Sequence, residues 1–201
     1  MSGFEKTAEI ARLVGMLGQT RRVTEHPDGE LESDTTHSVM VALIAAWVAP
    51  QEEVSLNLDL VMMYALVHDL PEAIAGDVST MRPLTPEARK AKDEAEARAV
   101  EEIDGRCAWL GDWIASYERQ DTPEARFVRV IDKIMPKFTH AWNGCRVVKR
   151  HGVDLAELEK LHRDQAASLR AYAPEFRVAH DLYQWTADRA HKAHAAGAVA
   201  P

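Results

Sequence analysis

Apolar residues along the chain fall three and four apart far more often than they alternate, the spacing of helices rather than strands. Leu13, Met16 and Leu17 share one face of a first helix that closes near Gly18. Residues 19–33 are polar, with Pro27-Asp28-Gly29 marking a turn. Ser33 or Asp34 can cap a second helix that runs to about Val48 and stops before Pro50. A third runs from about Asn57 to Asp69, with Leu60, Tyr64 and Val67 on one face, until Pro71 disturbs it. Gly76-Asp77 reads as a loop. TPEAR occurs at Thr85–Arg89 and again at Thr122–Arg126. In both, Thr suits the cap, Pro the first helical position and Glu the positive helix end, so two helix starts explain it better than an internal repeat. One of these helices ends near Asp104-Gly105; the other passes through Asp132 toward Trp142. Asp154 with Glu157 forms a capping box for a helix to about Tyr172. Pro174 is expected to open the last helix, and the tail AHAAGAVAP to fray. No linker interrupts the pattern, which predicts an all-α single domain of six to eight helices over residues 1–201. Its core lies at about 8–172 and its C-terminal helix at about 174–195.

Composition narrows the classes of function. Hydrophobic residues make up 46% and charged ones 28% of the 201 residues, a globular balance. Lys plus Arg number 24 against 32 Asp plus Glu, a formal charge of -8 that disfavours nucleic-acid polymers but leaves room for a single nucleotide held by local cations. The longest apolar run, Val39 to Ala49, is too short to span a bilayer, so no membrane partner is expected. The start MSGFEKTAEI carries acids early and lacks a secretory apolar stretch. With only Cys107 and Cys145, no disulfide framework is expected, and a cytoplasmic location follows as the simplest reading. Trp47, Trp109 and Trp113 are expected in the core, and His140, His151 and His162 on the surface. The Ala-rich stretch Pro86 to Ile103 reads as a solvated helix face.

Candidate chemistry centres on His68-Asp69. A His-Asp pair alone says little, and His180-Asp181 is a second one. The surroundings of His68 say more. Val61, Met62, Met63, Ala65, Leu66 and Val67 precede it, which predicts a buried helix end where an acid needs a cation or hydrogen bonds. Glu72 and Asp77 follow within ten residues of His68, and a divalent cation would relieve the repulsion among these acids. His37 precedes an apolar helix face, and Asp132 sits among Val128, Val130, Ile131, Ile134 and Met135. Alone, His37 could be a core histidine bonded to a carbonyl, and Asp132 a buried partner of Lys133 or an arginine. Brought to one point, His37, His68, Asp69 and Asp132 offer two nitrogens and two oxygens. That set fits one divalent metal ion, Mn, Co, Ni, Fe, Zn or Mg, better than Ca.

The order of an H (His37), then HD (His68-Asp69), then a distant D (Asp132) resembles the HD-domain phosphohydrolases. The stretch HDLPEAIAGD with RVIDKI after it resembles the branch that contains 5′-deoxynucleotidases and HD-domain-containing relatives, over roughly residues 8–170. The resemblance implies a single HD-domain helical bundle in which those four residues hold one divalent metal. It implies that Glu72 positions or deprotonates the attacking water, that Asp77 contacts the sugar or assists proton transfer, and that Arg21 or Arg22 meets the phosphate. It also implies a homodimer. Some members follow the phosphate-binding arginine with a tryptophan beside the sugar 2′ position; here the run is Arg21-Arg22-Val23, which leaves the sugar preference open. No histidine lies between Asp69 and Asp132, where two-metal relatives place extra ligands, so one metal and simple hydrolysis are expected.

The expected reaction is removal of the 5′-phosphate from a (deoxy)nucleoside 5′-monophosphate, with a small-molecule nucleotide as partner. The alternatives are release of triphosphate or pyrophosphate on the same metal, which extra Lys or Arg in the pocket would favour, and a non-catalytic metal- or nucleotide-binding helical module, which a Glu72 pointing away from the metal would favour.

Overall fold

The computed structural model describes residues 3–79 and 81–196. Within them the helices are α1 (Gly3–Leu17), α2 (Asp34–Val48), α3 (Leu58–Val67), α4 (Glu72–Ala75), α5 (Pro86–Arg106), α6 (Ala108–Glu118), α7 (Pro123–Trp142), α8 (Arg146–Arg150), α9 (Leu155–Tyr172) and α10 (Arg177–Ala195). Eight of these have ten or more residues, so the all-helical expectation holds. The end of the tail, residues 197–201, lies outside the described residues.

Local chemistry sets most of the boundaries. Thr36 N–H donates to Ser33 Oγ at 3.1 Å, so Ser33 is the cap of α2. Both TPEAR segments start helices: Ala88 N–H donates to Thr85 Oγ1 and Ala125 N–H to Thr122 Oγ1, each at 3.2 Å. Asp154 Oδ1 accepts from Glu157 N–H at 2.8 Å. Gly76, at φ 79, closes the four-residue α4 in a conformation that suits glycine.

Two features depart from the sequence reading. Residues 19–33 are not a plain polar loop. Strand β1 (Arg21–Glu25) pairs antiparallel with β2 (Leu31–Ser33), and Pro27-Asp28-Gly29 lies at the tip of this ribbon. Distant polar groups hold it. Asn143 Nδ2 donates to Glu25 O at 2.6 Å, and Arg146 Nη2 to His26 O at 2.9 Å. Pro174 does not open the last helix. α10 starts three residues later, where Glu52 accepts from Val178 N–H and Ala179 N–H at 3.0 and 2.7 Å. A cap supplied from more than a hundred residues away leaves no local signal.

The core gathers on α7, which packs against α10, α2 and α3. Phe127, Val128, Val130, Ile131 and Ile134 are fully buried on it, and Phe127 meets Phe176 edge to face at 5.1 Å between ring centroids. A second cluster joins Leu13 and Leu17 of α1 to Val67, Ile103 and Ile114. The tryptophans are a correction. Trp47 and Trp109 are 75% and 54% exposed, and only Trp113 packs inward, against Tyr64. The reason for Trp47 is geometric: Val39, Leu43 and Trp47 lie four apart on the outer face of α2, opposite buried His37, Val41, Ala45 and Val48.

Phe127→Ala should cost about 3–5 kcal/mol of stability, as expected for emptying a fully buried aromatic site. Urea denaturation measures it, and a loss under about 1 kcal/mol would place the core elsewhere.

Candidate metal centre

His37 lies in the first turns of α2, His68 caps the end of α3, Asp69 follows it, and Asp132 sits midway along α7. The fold brings all four together. His37 Nε2 is 2.9 Å from Asp132 Oδ1 and 3.8 Å from Asp69 Oδ2. His68 Nε2 is 3.2 Å from Asp69 Oδ2 and 3.8 Å from Asp132 Oδ1. Donor atoms of His37, His68 and Asp132 all lie within 4.8 Å of one another. That separation suits ligands each about 2.1 Å from a shared ion.

The hydrogen bonding tests whether a cation fits. His68 Nδ1 is 2.8 Å from Ala65 O. A carbonyl only accepts, so Nδ1 carries the proton and Nε2 presents its lone pair. That Nε2 is buried and has no hydrogen-bond partner among the described residues, and neither have the buried Asp34 Oδ2 and Glu72 Oε2. A nitrogen lone pair facing two carboxylates is repelled unless positive charge sits between them. A proton on Nε2 is one answer: burial opposes the imidazolium, yet Asp69 and Asp132 push His68 up to about 10. A divalent cation does the same with more charge, and the residues fit one.

A second acid group adjoins the first through Asp69: oxygens of Asp34, Asp69 and Glu72 also lie within 4.8 Å of one another. Arg22 binds this group together. Its Nη1 donates to Asp69 Oδ2 at 2.8 Å and Asp34 Oδ1 at 3.1 Å. Of the two arginines named from the sequence, Arg22 reaches the cluster and Arg21 is exposed. Adjacent residues on a strand point to opposite faces, which accounts for the difference. Glu72 is buried beside this group, with Lys92 Nζ 3.6 Å away. Burial, reinforced by Asp69, Asp77 and Asp34, pushes its carboxyl up to about 9. Burial also raises Asp34, to about 6. Asp132 is held well below the usual range despite burial, by Lys133 at 2.8 Å and by the two histidines.

The centre opens on a cavity of about 510 Å³ that follows α7. Arg22, Asp77, Asp132 and Lys133 line one end; Lys137, His140, His162 and Gln165 line the other. Pro136 lies between and has no N–H to offer the carbonyl of Asp132 four residues earlier. His140 and His162 therefore correct the sequence reading: both are buried and only His151 is exposed. Burial, with Lys137 nearby, pulls His140 down to about 4; burial, Lys137 and His191 pull His162 down to about 2. Asp34 and Lys133, read from the sequence as a cap and an ion-pair partner, belong to the centre as well. The signal for Asp34 was its place three residues before His37 on one helix.

The HD domain family model matches residues 14–172. A 5'-deoxynucleotidase HDDC2 from Xenopus laevis is 30% identical over 140 residues, 66% of each chain. The Homo sapiens 5'-deoxynucleotidase HDDC2 is 28% identical over 140 residues, 65% of each chain. The alignments thus span a little under two thirds of these relatives' length. Among solved structures, a predicted metal-dependent phosphohydrolase from Magnetospirillum magnetotacticum MS-1 superposes with a TM-score of 0.69 at 24% identity, over 92% of this chain and 93% of that one. That likeness is one of fold.

Two measurements check the centre. Metal analysis after loading and dialysis should find one divalent ion per chain, lost in His68→Ala and in Asp132→Ala; retention of a full equivalent in both variants would move the site. For His140 the sign is set by its lowered value. An unfolded histidine protonates near pH 6.5, so the unfolded chain gains the proton first and stability falls as pH drops from about 6.5 toward 4. Urea midpoints should fall less with acid in His140→Leu than in the parent, and an equal fall would remove His140 as a cause.

Proposed function

We propose that this chain, which belongs to the HD domain family, is a metal-dependent phosphohydrolase that removes the 5′-phosphate from (deoxy)nucleoside 5′-monophosphates. The observation that carries the reading is the convergence of His37, His68, Asp69 and Asp132 beside Arg22 and Glu72 at one end of a 510 Å³ cavity. The names of the Xenopus and human relatives support the substrate class.

His37, His68, Asp69 and Asp132 would hold the ion, with Mn, Co, Ni, Fe, Zn and Mg as candidates for a mixed nitrogen and oxygen set. When bound, a divalent cation there supplies a Lewis acid that acidifies water and offsets phosphoryl charge. The protein does the rest. Arg22 Nη1 is committed to Asp34 and Asp69, which fixes the guanidinium plane. Its Nη2 makes no bond among the described residues and is left to donate to a phosphoryl oxygen. Lys133, half-exposed on the same wall, adds a second cation. Burial and the acids Asp69, Asp77 and Asp34 outweigh Lys92 and Arg22 and favour the protonated form of Glu72. Positive charge arriving on its neighbours frees its carboxylate to take a proton from the attacking water. Asp77, on the cavity wall, is placed to meet the sugar or pass that proton on. Glu72 faces the cluster rather than away from it, which speaks against a non-catalytic module.

One observation favours a second reading, release of triphosphate or pyrophosphate. Arg89 lines the cavity and makes no side-chain hydrogen bond or ion pair among the described residues, so it could meet a longer phosphate chain. The proposal also takes the chain as a single domain, a homodimer and a cytoplasmic protein. Packing of α10 on α7 supports the first, the exposed Val39–Leu43–Trp47 stripe the second, and the buried free cysteines Cys107 and Cys145 the third. Among the described residues no helix is long and apolar enough to cross a membrane.

The deciding assay follows free phosphate from deoxynucleoside mono- and triphosphates with each metal in turn. Phosphate from monophosphates alone is the expected result; intact triphosphate or pyrophosphate as product would select the second reading, and no turnover would end both. Glu72→Gln should keep its ion and lower kcat by about 10²–10⁴. Full activity in that variant would remove Glu72 from the chemistry.

A further inference from the structure

The far end of the cavity holds polar groups that the phosphate chemistry does not use. His140 is only 7% exposed, lines the cavity, and neither ring nitrogen has a hydrogen-bond partner among the described residues. Two buried unpartnered nitrogens facing a void are costly in a finished core and ordinary in a binding site. Gln165, on α9, lines the same cavity. Its Oε1 accepts from Lys137 Nζ at 2.7 Å and from the Tyr183 hydroxyl at 2.9 Å. Burial and Lys133 pull Lys137 down to about 7; below that pH its ammonium has no acceptor, which sets the amide with its oxygen toward Lys137 and its NH₂ away. Lys137 is itself fixed, donating to Lys133 O at 2.7 Å and seated 4.3 Å from the Tyr183 ring centre. Gln165 Nε2 makes no bond among the described residues. Val148, Val153, Leu158 and Leu161 add apolar wall beside these polar atoms, and His162, Asp164 and Ser168 also line the cavity.

Apolar walls with a few fixed polar atoms suit a flat heterocycle read along its edge. The spacing agrees. Asp132 and His140 are eight residues apart on α7, about 12 Å along the axis, the scale of an extended nucleoside 5′-monophosphate. We propose that His140 and the Lys137-anchored Gln165 form a base-reading subsite that selects a base with an exposed carbonyl beside a ring nitrogen, namely thymine, uracil, guanine or cytosine, over adenine. The inference rests on the nucleotide reading of this cavity. Gln165 can only donate into the site, which matches the carbonyl. A neutral imidazole offers one donor and one acceptor, so His140 meets either a ring N–H or a bare ring nitrogen and the discrimination falls to Gln165; the low His140 value agrees with a neutral ring. Adenine has no carbonyl and presents an amino group beside a ring acceptor, leaving the Gln165 amide facing another donor.

The test uses free nucleosides on the full chain, so that it reads the subsite without phosphate release. In titration calorimetry at pH 6, where Lys137 is protonated and His140 neutral, thymidine, deoxyguanosine and deoxycytidine should bind at least about tenfold tighter than deoxyadenosine, the scale of one good edge contact. Gln165→Glu keeps an oxygen for Lys137 and presents an acceptor to the site, so the order should reverse. Gln165→Leu should level the four and guards against a Glu variant that fails to fold. Equal affinities in the parent, no binding at millimolar nucleoside, or an unchanged order in both variants would overturn the subsite. The phosphate-release assay fails or succeeds independently of these outcomes.

Discussion

Asp34, Asp69, Glu72 and Asp132 bring four carboxyl groups into one largely buried region, and at the strength of charge interactions in a desolvated interior they cannot all ionise unless cations answer them. Arg22 answers two of them directly and Lys133 a third. The imidazoles of His37 and His68 face what is left. The result is a graded set. Asp69 and Asp132 are held ionised, whereas burial and the neighbouring acids make Asp34 and Glu72 retain their protons more readily. Two carboxylates ready to bind beside one ready to exchange a proton is the division that ion-assisted hydrolysis needs.

Such an arrangement survives only on a rigid frame, because misplaced charge in a dry interior is expensive. The frame comes from three helices far apart in sequence. α7 supplies Asp132 from the middle of the main core, α2 supplies His37 from the inner face of a helix capped by Ser33, and the end of α3 supplies the His-Asp pair. The ribbon of β1 and β2 adds Arg22. It is held not by a sheet of its own but by Asn143, Arg146 and Arg150 on the chain beyond α7. Arg22 and the candidate ion ligands are therefore mounted on different elements gathered around α7.

How much of this was legible beforehand depends on whether the signal was local. Helix caps at Ser33, Thr85, Thr122 and Asp154 are properties of four-residue windows, and each falls where the sequence places it. The metal-ligand candidates could be named because an acid or histidine in an apolar helix stands out against its neighbours. The ribbon could not be read, since its polar strands are fixed by residues more than a hundred positions away. Nor could the far end of the cavity. Nothing within a helical turn of His140 or His162 distinguishes a solvated histidine from one walled in by α7, α9 and α10, and Gln165 acquires its fixed orientation only from Lys137 and Tyr183. The outward stripe of Val39, Leu43 and Trp47 shows the same limit from the other side: an apolar run on α2 marks a buried helix without saying how many of its faces are covered.

With Asp132 near its midpoint and the unpartnered imidazole of His140 two turns on, α7 would, under the proposed function, act as a caliper of fixed opening. A molecule gripped at both jaws must have one end-to-end length. A bare sugar phosphate falls short of the second jaw, and each added phosphate group or linked nucleotide pushes one end out of register. Chain length, not surface charge alone, would then sort which members of a mixed nucleotide pool can dwell in the groove.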